Sequence, residues 1–512
     1  MKRFLFAAVL SLTAFAAQAD DARYDRIVDE VVARYHLPGI AVGVIDNGHV
    51  VYKATRGELV AGSGKAVTTN SLFKIASNSK AMTASVLARL VEADKLQWDA
   101  PVVRYLPDFA MHDPWVTRNM QVRDLLVHNS GLPEGGGDLM LWPEPNAFTR
   151  ADVIHGLRYI KPAYSFRSGY AYDNLLYVVA GEVAASAGGA SYEELMRREV
   201  FQPLGLTRCR VGAWRTGEVD DVAQPHMRKG NRNVTIGADG ANVAAITHAA
   251  AGGIRCSLDD MLAWAGNWLA PTPRQLEWLP PAQRRELWKA RTPMPISERR
   301  REWDNTHYLA YADGWRLADV DGEWNVSHTG TLSGMYSVLS LLPDRKSGFV
   351  VLINGDGDDA RTVLTERLLK HFTAPGKARS VASYADEIAR AAAPAQSVET
   401  VVPAGIPVSK ADMGRWLGIY RDPWLGEVSI CAGEGGVRFQ ARKSPLLSGR
   451  VLRSAQRLMV DWDGDSVDTD AWMAFSDGAG GTSTLTMAKV DPDADFSSDF
   501  EDLAFTRIGG CG

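Results

Sequence analysis

A serine three residues ahead of a lysine can put a nucleophilic hydroxyl and an amine on one helix face. Ser77-Asn78-Ser79-Lys80 has this spacing at the start of a helical run. The unpaired N–H groups of a helix start also favour negative charge on an attacking oxygen. A serine hydroxyl attacks carbonyls only when a base takes its proton. Lysine serves as that base where desolvation or a neighbouring cation depresses its pKa. Phe73, Ile75, Ala76, Ala81 and Met82 are apolar residues able to wall off such a lysine. The plain alternative is a helix cap and a surface lysine, and spacing alone favours it. Ser71 and Lys74 repeat the spacing six residues earlier, which shows how common the pattern is.

Two further sets bear on the same chemistry. Tyr172-Asp173-Asn174 joins a phenol able to shuttle a proton to an amide able to orient a lysine or a substrate carbonyl. Read plainly, it is an aromatic turn and a helix cap. Ser327-His328-Thr329-Gly330-Thr331 reads as a strand edge where glycine admits a ligand backbone and His and Thr supply donors. Its plain reading is a polar strand entry.

The elements around these residues follow from periodicity and turn chemistry. Tyr24, Ile27, Val28, Val31 and Val32 recur at helical spacing, and Pro38-Gly39 stops that helix. Ile40 to Ile45 and His49 to Thr55 read as strands joined by a tight Asn47-Gly48 turn. Tyr336 to Leu342 and Gly348 to Ile353 form a late hairpin, followed by a helix from about Arg361 to Phe372. Helical stretches lie between, including Asn174 to Ala185 and Leu258 to Leu269. Hairpins at both ends of a helical region indicate one sheet closed by the two ends. Residues 373–410 are small and Pro-containing and read as a linker with a short helix around Tyr384 to Ala393. Seven strand-like runs follow, from Gly418 to Tyr420 through Leu503 to Ile508, which predict a small all-β barrel over 411–512. Glu134-Gly135-Gly136-Gly137-Asp138 reads as a surface loop rimming the second set.

The chain has 512 residues, enough for two domains with a large core at 46% hydrophobic content. A net charge of -5 without a basic run offers nothing to nucleic acid. Lys2 and Arg3, the apolar Phe4 to Ala17, and Ala17-Gln18-Ala19 read as a signal peptide over 1–19, removed to leave a periplasmic or secreted protein with no stable membrane span. Cys209, Cys256, Cys431 and Cys511 allow three pairings. Cys209–Cys256 with Cys431–Cys511 keeps each bridge inside one domain, and free buried thiols are the alternative.

Taken together, in this order, the three sets resemble the serine β-lactamase and penicillin-binding protein-like family, in its class C β-lactamase and DD-peptidase branch. Leu125 to Pro133, Gly252 to Ser257 and Asp313-Gly314-Trp315 add to the resemblance, which spans residues 24 to 372. It implies an α+β fold, an antiparallel sheet flanked by helices, over 20–372. It selects Ser77 over Ser71 as nucleophile, with Lys80 and Tyr172 sharing proton transfer. It makes Asn174, His328, Thr329, Gly330 and Thr331 substrate-binding, with the backbone N–H groups of Ser77 and Thr331 as the oxyanion hole. The implied enzyme uses no metal or organic cofactor. The C-terminal barrel resembles the lipocalin-like domain appended to such hydrolases.

The expected function is a serine hydrolase forming an acyl-enzyme on an amide or ester: a D-amino-acid peptide, a β-lactam or a small ester. A true class C-type β-lactamase and a non-catalytic cell-wall or ligand-binding protein on the same scaffold are the rivals. His328 stands where class C β-lactamases carry lysine. Imidazole is only partly charged near neutral pH, so this departure points toward peptidase or esterase chemistry.

Overall fold

A computed structural model describes residues 21–397, 405–478 and 482–511. The principal helices are α1 (21–35), α2 (Ser79–Glu92), α3 (Leu175–Gly188), α4 (Leu258–Leu269), α5 (Asp358–Thr373) and α6 (Val381–Ser397). The chain divides into two compact units: one of the chain up to Leu96 with Gly188–Pro394, the other of Gln97–Ala187 with the chain from Ala395 on.

The first unit is built on eight antiparallel strands: β1 (Gly39–Asp46), β2 (His49–Gly57), β3 (Thr292–Pro293), β4 (Leu309–Tyr311), β5 (Arg316–Val320), β6 (Glu323–Leu332), β7 (Met335–Leu342) and β8 (Ser347–Ile353). Their order in the sheet is β2-β1-β8-β7-β6-β5-β4-β3, so the N-terminal hairpin meets the late hairpin at β1 and β8, as expected for a sheet closed by its two ends. Strand β1 reads as a continuous apolar run because both faces are covered. Ile40, Val42 and Val44 join Tyr24, Val28 and Val31 of α1, Val363, Leu364 and Leu368 of α5, and Tyr384 and Ile388 of α6 in one core. On the opposite face Gly43 lies directly against Leu262 of α4. Fully burying one such aliphatic side chain stabilises the fold by about 2 kcal/mol.

Helix α6 falls inside 373–410. Its Val381, Tyr384, Ala385 and Ile388 follow a helical stripe that packs into the core, so this part of the segment carries tertiary structure. Alanine-rich composition suggested a spacer, yet alanine is also the best helix former. The Cys209–Cys256 disulfide lies in this unit, with Cys256 paired across a short ladder to Phe73.

In the second unit, residues 97–187 are short helices joined by irregular segments, ending in α3, and associate with the C-terminal strands. After β9 (Ile406–Pro407) come β10 (Gly418–Asp422), β11 (Gly426–Gly433), β12 (Gly436–Ala441), β13 (Ser448–Ser454), β14 (Arg457–Trp462), β15 (Ala471–Asp477), β16 (Ser483–Lys489) and β17 (Ala504–Gly509). Each of β10 to β17 pairs with its neighbour in sequence, and β17 returns to β10, closing an eight-stranded up-and-down barrel. Closure leaves those eight strands without a free sheet edge. Strand β13 is the one the sequence pattern does not show, since glycine and two arginines interrupt its apolar residues. Cys431 on β11 bonds Cys511 just beyond β17. The helical part is tied to the barrel by the Lys443–Asp152 ion pair at 2.6 Å and the Ala147 N–H to Lys443 carbonyl bond at 2.7 Å.

Burial, with the nearby carboxylates of Glu501 and Asp422, pushes the Asp502 carboxyl up to about 6. The folded state therefore holds this proton more tightly than the unfolded chain does. The resulting stabilisation is complete below pH 4 and is lost as pH rises through 6. Asp502→Asn is expected to raise stability at pH 7.5 by about 1–2 kcal/mol, allowing for partial exposure, and to change it little at pH 4. Urea unfolding at the two pH values checks this; equal effects at both would refute it.

Candidate active site

The strand Phe73–Lys74 pairs with Arg255–Cys256, and a single 3-10 turn, Ala76–Asn78, then leads into α2. Ala76 has a left-handed backbone, φ 48°, which costs an alanine about 1–2 kcal/mol. Ser77 follows it, half-buried at the turn. Lys80 is the second residue of α2 and is fully buried, at 0% exposure. Its Nζ donates to Ser77 Oγ and to the Ala251 carbonyl, both at 3.0 Å. A buried amine held 3.0 Å from a serine oxygen is the arrangement a proton-accepting lysine requires. The decoy is different: Ser71 is buried, donates to Asp221 at 2.5 Å and accepts the Thr68 N–H at 2.8 Å, so it holds a turn.

Strand β6 carries the third set past this turn. Its pairing with β5 ends at Ser327, whereas His328 to Leu332 continue to pair with β7. The other edge of this stretch makes no strand pairing among the described residues, and such an edge can accept an extended substrate backbone. Gly330 sits opposite Ser337. A Cβ at 330 would overlap the Ile75 carbonyl oxygen and Ser337 Oγ, so glycine is what lets the strand approach the nucleophile turn. Ser337 Oγ donates to that same carbonyl at 2.8 Å and accepts from Asn78 Nδ2 at 2.8 Å, fastening turn to strand. Thr329 Oγ1 accepts from Arg316 at 2.7 Å, and Thr331 Oγ1 from Arg361 at 2.8 Å. His328 is buried; its Nδ1 lies 2.6 Å from the Thr329 carbonyl and its Nε2 2.8 Å from Tyr311 Oη.

Tyr172 and Asn174 belong to the second unit, on the approach to α3. The Tyr172 ring lies against the His128 ring, with centroids 4.2 Å apart, and meets the Phe496 ring edge-on at 5.8 Å. Its carbonyl accepts the Gly135 N–H at 2.9 Å. His128 Nδ1 accepts the Asp173 N–H at 3.2 Å, and Asp173 in turn accepts the Leu176 N–H in the first turn of α3. Asn174 is buried and donates through Nδ2 to Asp138 at 2.9 Å. Asp138 closes the Gly135–Gly137 run, which the sequence reading placed in a surface loop. These four residues are buried instead: Phe496 lies against Gly135, Pro133 against Gly136, Leu175 and Ile160 against Gly137, and Ser497 bonds Asp138.

Thus Ser77 and Lys80 are in direct contact, the nucleophile turn and Gly330 are joined through Ser337, and Tyr172 and Asn174 share one buried network. Asn78 and Ser337 fasten the nucleophile turn to β6, and Asp138 and His128 contact Asn174 and Tyr172; the three motifs do not single out these supporting residues. A readable signal existed for two of them: a serine inside the apolar run of β7, and an acid closing a glycine run. Among the described residues no cluster of three or more His, Cys, Asp or Glu side chains is placed to hold a metal ion. Nor is any described helix long and apolar enough to cross a membrane.

The fold and this serine–lysine pair define a serine acyl-transfer scaffold. The family model described as Beta-lactamase matches residues 24–373, and the chain belongs to that family. It is a serine hydrolase. Unguisins hydrolase ungD' of Aspergillus campestris (strain IBT 28561) is 25% identical over 82% of this chain and 80% of its own length. Penicillin-binding protein 4 of Amycolatopsis lactamdurans is 26% identical over 68% of this chain and 88% of its own. In fold, the octameric penicillin-binding protein homologue from Pyrococcus abyssi aligns over 95% of this chain and 99% of its own at a TM-score of 0.59, with 18% identity.

Proposed function

We propose that this hydrolase opens the amide bond of small D-amino-acid peptides, or related esters, through an acyl-enzyme on Ser77. The observation that carries the reading is the fully buried Lys80 Nζ 3.0 Å from Ser77 Oγ. Ser77 attacks the carbonyl, and Lys80 and Tyr172 pass its proton to the leaving group. The N–H groups of Ser77 and Thr331 stabilise the oxyanion, and Asn174 orients the substrate amide. Water then attacks the ester and frees Ser77. The stretch of β6 from His328 to Thr331, beyond its pairing with β5, suits a short extended peptide.

His328 favours this substrate class over β-lactams. The buried His328 ring has Nδ1 against the Thr329 carbonyl and Nε2 against the Tyr311 hydroxyl, so both ring nitrogens are engaged within the protein rather than left open to a β-lactam carboxylate. The name of one relative, a hydrolase of unguisins, accords with hydrolysis. Export to the periplasm or beyond fits two disulfides and the leader-like residues 1–19, which lie outside the described residues. The barrel's up-and-down meander supports the lipocalin-like reading of the C-terminal domain.

Exposure to a fluorophosphonate followed by peptide mass spectrometry is expected to place one covalent adduct on Ser77, absent from Ser77→Ala. Folded protein with no adduct on any serine would overturn the assignment.

A further inference from the structure

Three residues separated widely in sequence meet at one carboxylate oxygen in the second unit. Asp138 Oδ2 accepts from Asn174 Nδ2 at 2.9 Å and from Ser497 Oγ at 2.8 Å. Asp138 is buried, with 0% exposure, and Asn174 is buried beside it. The segment bearing Ser497 belongs to the barrel's last crossover, between β16 and β17. It is seated by more than this bond. Asp499 accepts the Gly137 N–H at 2.5 Å and the Leu139 N–H at 3.1 Å, bracketing Asp138. Gly135 is left-handed at φ 69°, and a Cβ there would lie 2.5 Å from the Phe496 carbonyl oxygen. Phe496 also meets the Tyr172 ring edge-on.

An asparagine amide has two ends, a donor and an acceptor, and a half-turn exchanges them. A carboxylate oxygen can only accept. By taking Nδ2, Asp138 holds the amide in one sense and turns its carbonyl oxygen, Oδ1, the other way. The hydroxyl of Ser497 fills the second acceptor position on that oxygen and restrains the carboxylate. We propose that Ser497 of the C-terminal barrel is a positioning residue for hydrolysis: acting through Asp138, it holds the Asn174 amide in one sense. This rests on the role given to Asn174 above.

The test uses the full chain and p-nitrophenyl acetate, with the Ser77→Ala rate subtracted. Ser497→Ala is expected to lower kcat about tenfold, the loss of one hydrogen bond's worth of positioning, with KM and the thermal midpoint unchanged. Ser497→Thr keeps the hydroxyl and should retain wild-type kcat, whereas Ser497→Val, of the same shape, should match alanine. This pair carries the test if the alanine variant folds poorly. In Asn174→Ala, which is expected to be slower than wild type, adding Ser497→Ala should cost nothing more, because its effect passes through Asn174. Wild-type kcat in both Ser497→Ala and Ser497→Val, or a full further loss in the double variant, would overturn the proposal and leave the role of Asn174 intact. Wild-type activity in Asn174→Ala would remove that role and the proposal with it. A wild-type rate no higher than Ser77→Ala would overturn the proposal and the nucleophile assignment together.

Discussion

Lys80→Met is expected to lower kcat/KM about 1,000-fold while leaving the protein at least as resistant to heat. The first effect follows from the 3.0 Å contact between Nζ and Ser77 Oγ. Without the amine the hydroxyl must be deprotonated by water or by Tyr172 alone, and a positioned base is worth about 10²–10⁴ in rate. A thousandfold loss corresponds to about 4 kcal/mol of transition-state stabilisation. The second effect follows from burial. Lys80 has no exposed surface, and Ile75, Ala81 and Met82 near it in sequence are buried as well. Methionine has nearly the same length, and replacing a buried amine by an apolar group of similar volume removes its desolvation cost, which offsets the hydrogen bonds lost. A merely structural lysine would show the reverse pattern, with lowered stability and kcat/KM close to wild type. Stopped-flow acylation and calorimetry on the same preparation separate the two cases. A kcat/KM within threefold of wild type would remove Lys80 from the mechanism.

Gly330→Ala should be strongly damaging to the strand that passes the nucleophile turn. The new Cβ overlaps a backbone oxygen, that of Ile75, and the hydroxyl of Ser337. Neither atom is free to move. The Ile75 N–H is bonded to the Ile254 carbonyl at 3.0 Å, and Ser337 bridges Ile75 and Asn78. Strand β6 must therefore back away from the Ala76–Asn78 turn that carries Ser77. Overpacking of this kind costs about 1–3 kcal/mol of stability. The effect on catalysis should be larger, about 100-fold or more in kcat/KM, because a displacement near 1 Å in a catalytic group is enough for that. Adding Ser337→Ala removes one of the two clashes but leaves the Ile75 carbonyl, so rescue should be partial. Wild-type activity in Gly330→Ala would show that the strand and the turn need not be in close contact.

Much of the architecture follows from local rules. Asn47-Gly48 makes the first hairpin turn, the apolar period of Leu258 to Leu269 makes α4, and alternation makes seven of the eight barrel strands. Each depends on neighbours within a few residues, which is why a sequence displays it. The order of the Ser-x-x-Lys, Tyr-x-Asn and His-Thr-Gly sets is legible in the same way.

Other features depend on partners far along the chain, and no local pattern encodes them. Ser71 and Ser77 have identical spacing to a lysine; the contact with Asp221, 150 residues away, commits one, and the buried Lys80 faces the other. Of three disulfide pairings, the fold brings together Cys209 with Cys256 and Cys431 with Cys511. The glycine run before Asp138 looks like solvent-exposed loop because it lacks apolar side chains, yet Phe496 and Asp499 bury it. Asp138 and Ser497 are 359 residues apart, and only closure of the barrel sets them on the same carboxylate oxygen as Asn174. The sequence by itself determined which residue types were available for acyl transfer and which elements bear them. Tertiary structure decided which serine has a lysine at its hydroxyl and what orients Asn174, because burial and hydrogen bonding at those atoms come from segments joined only by folding.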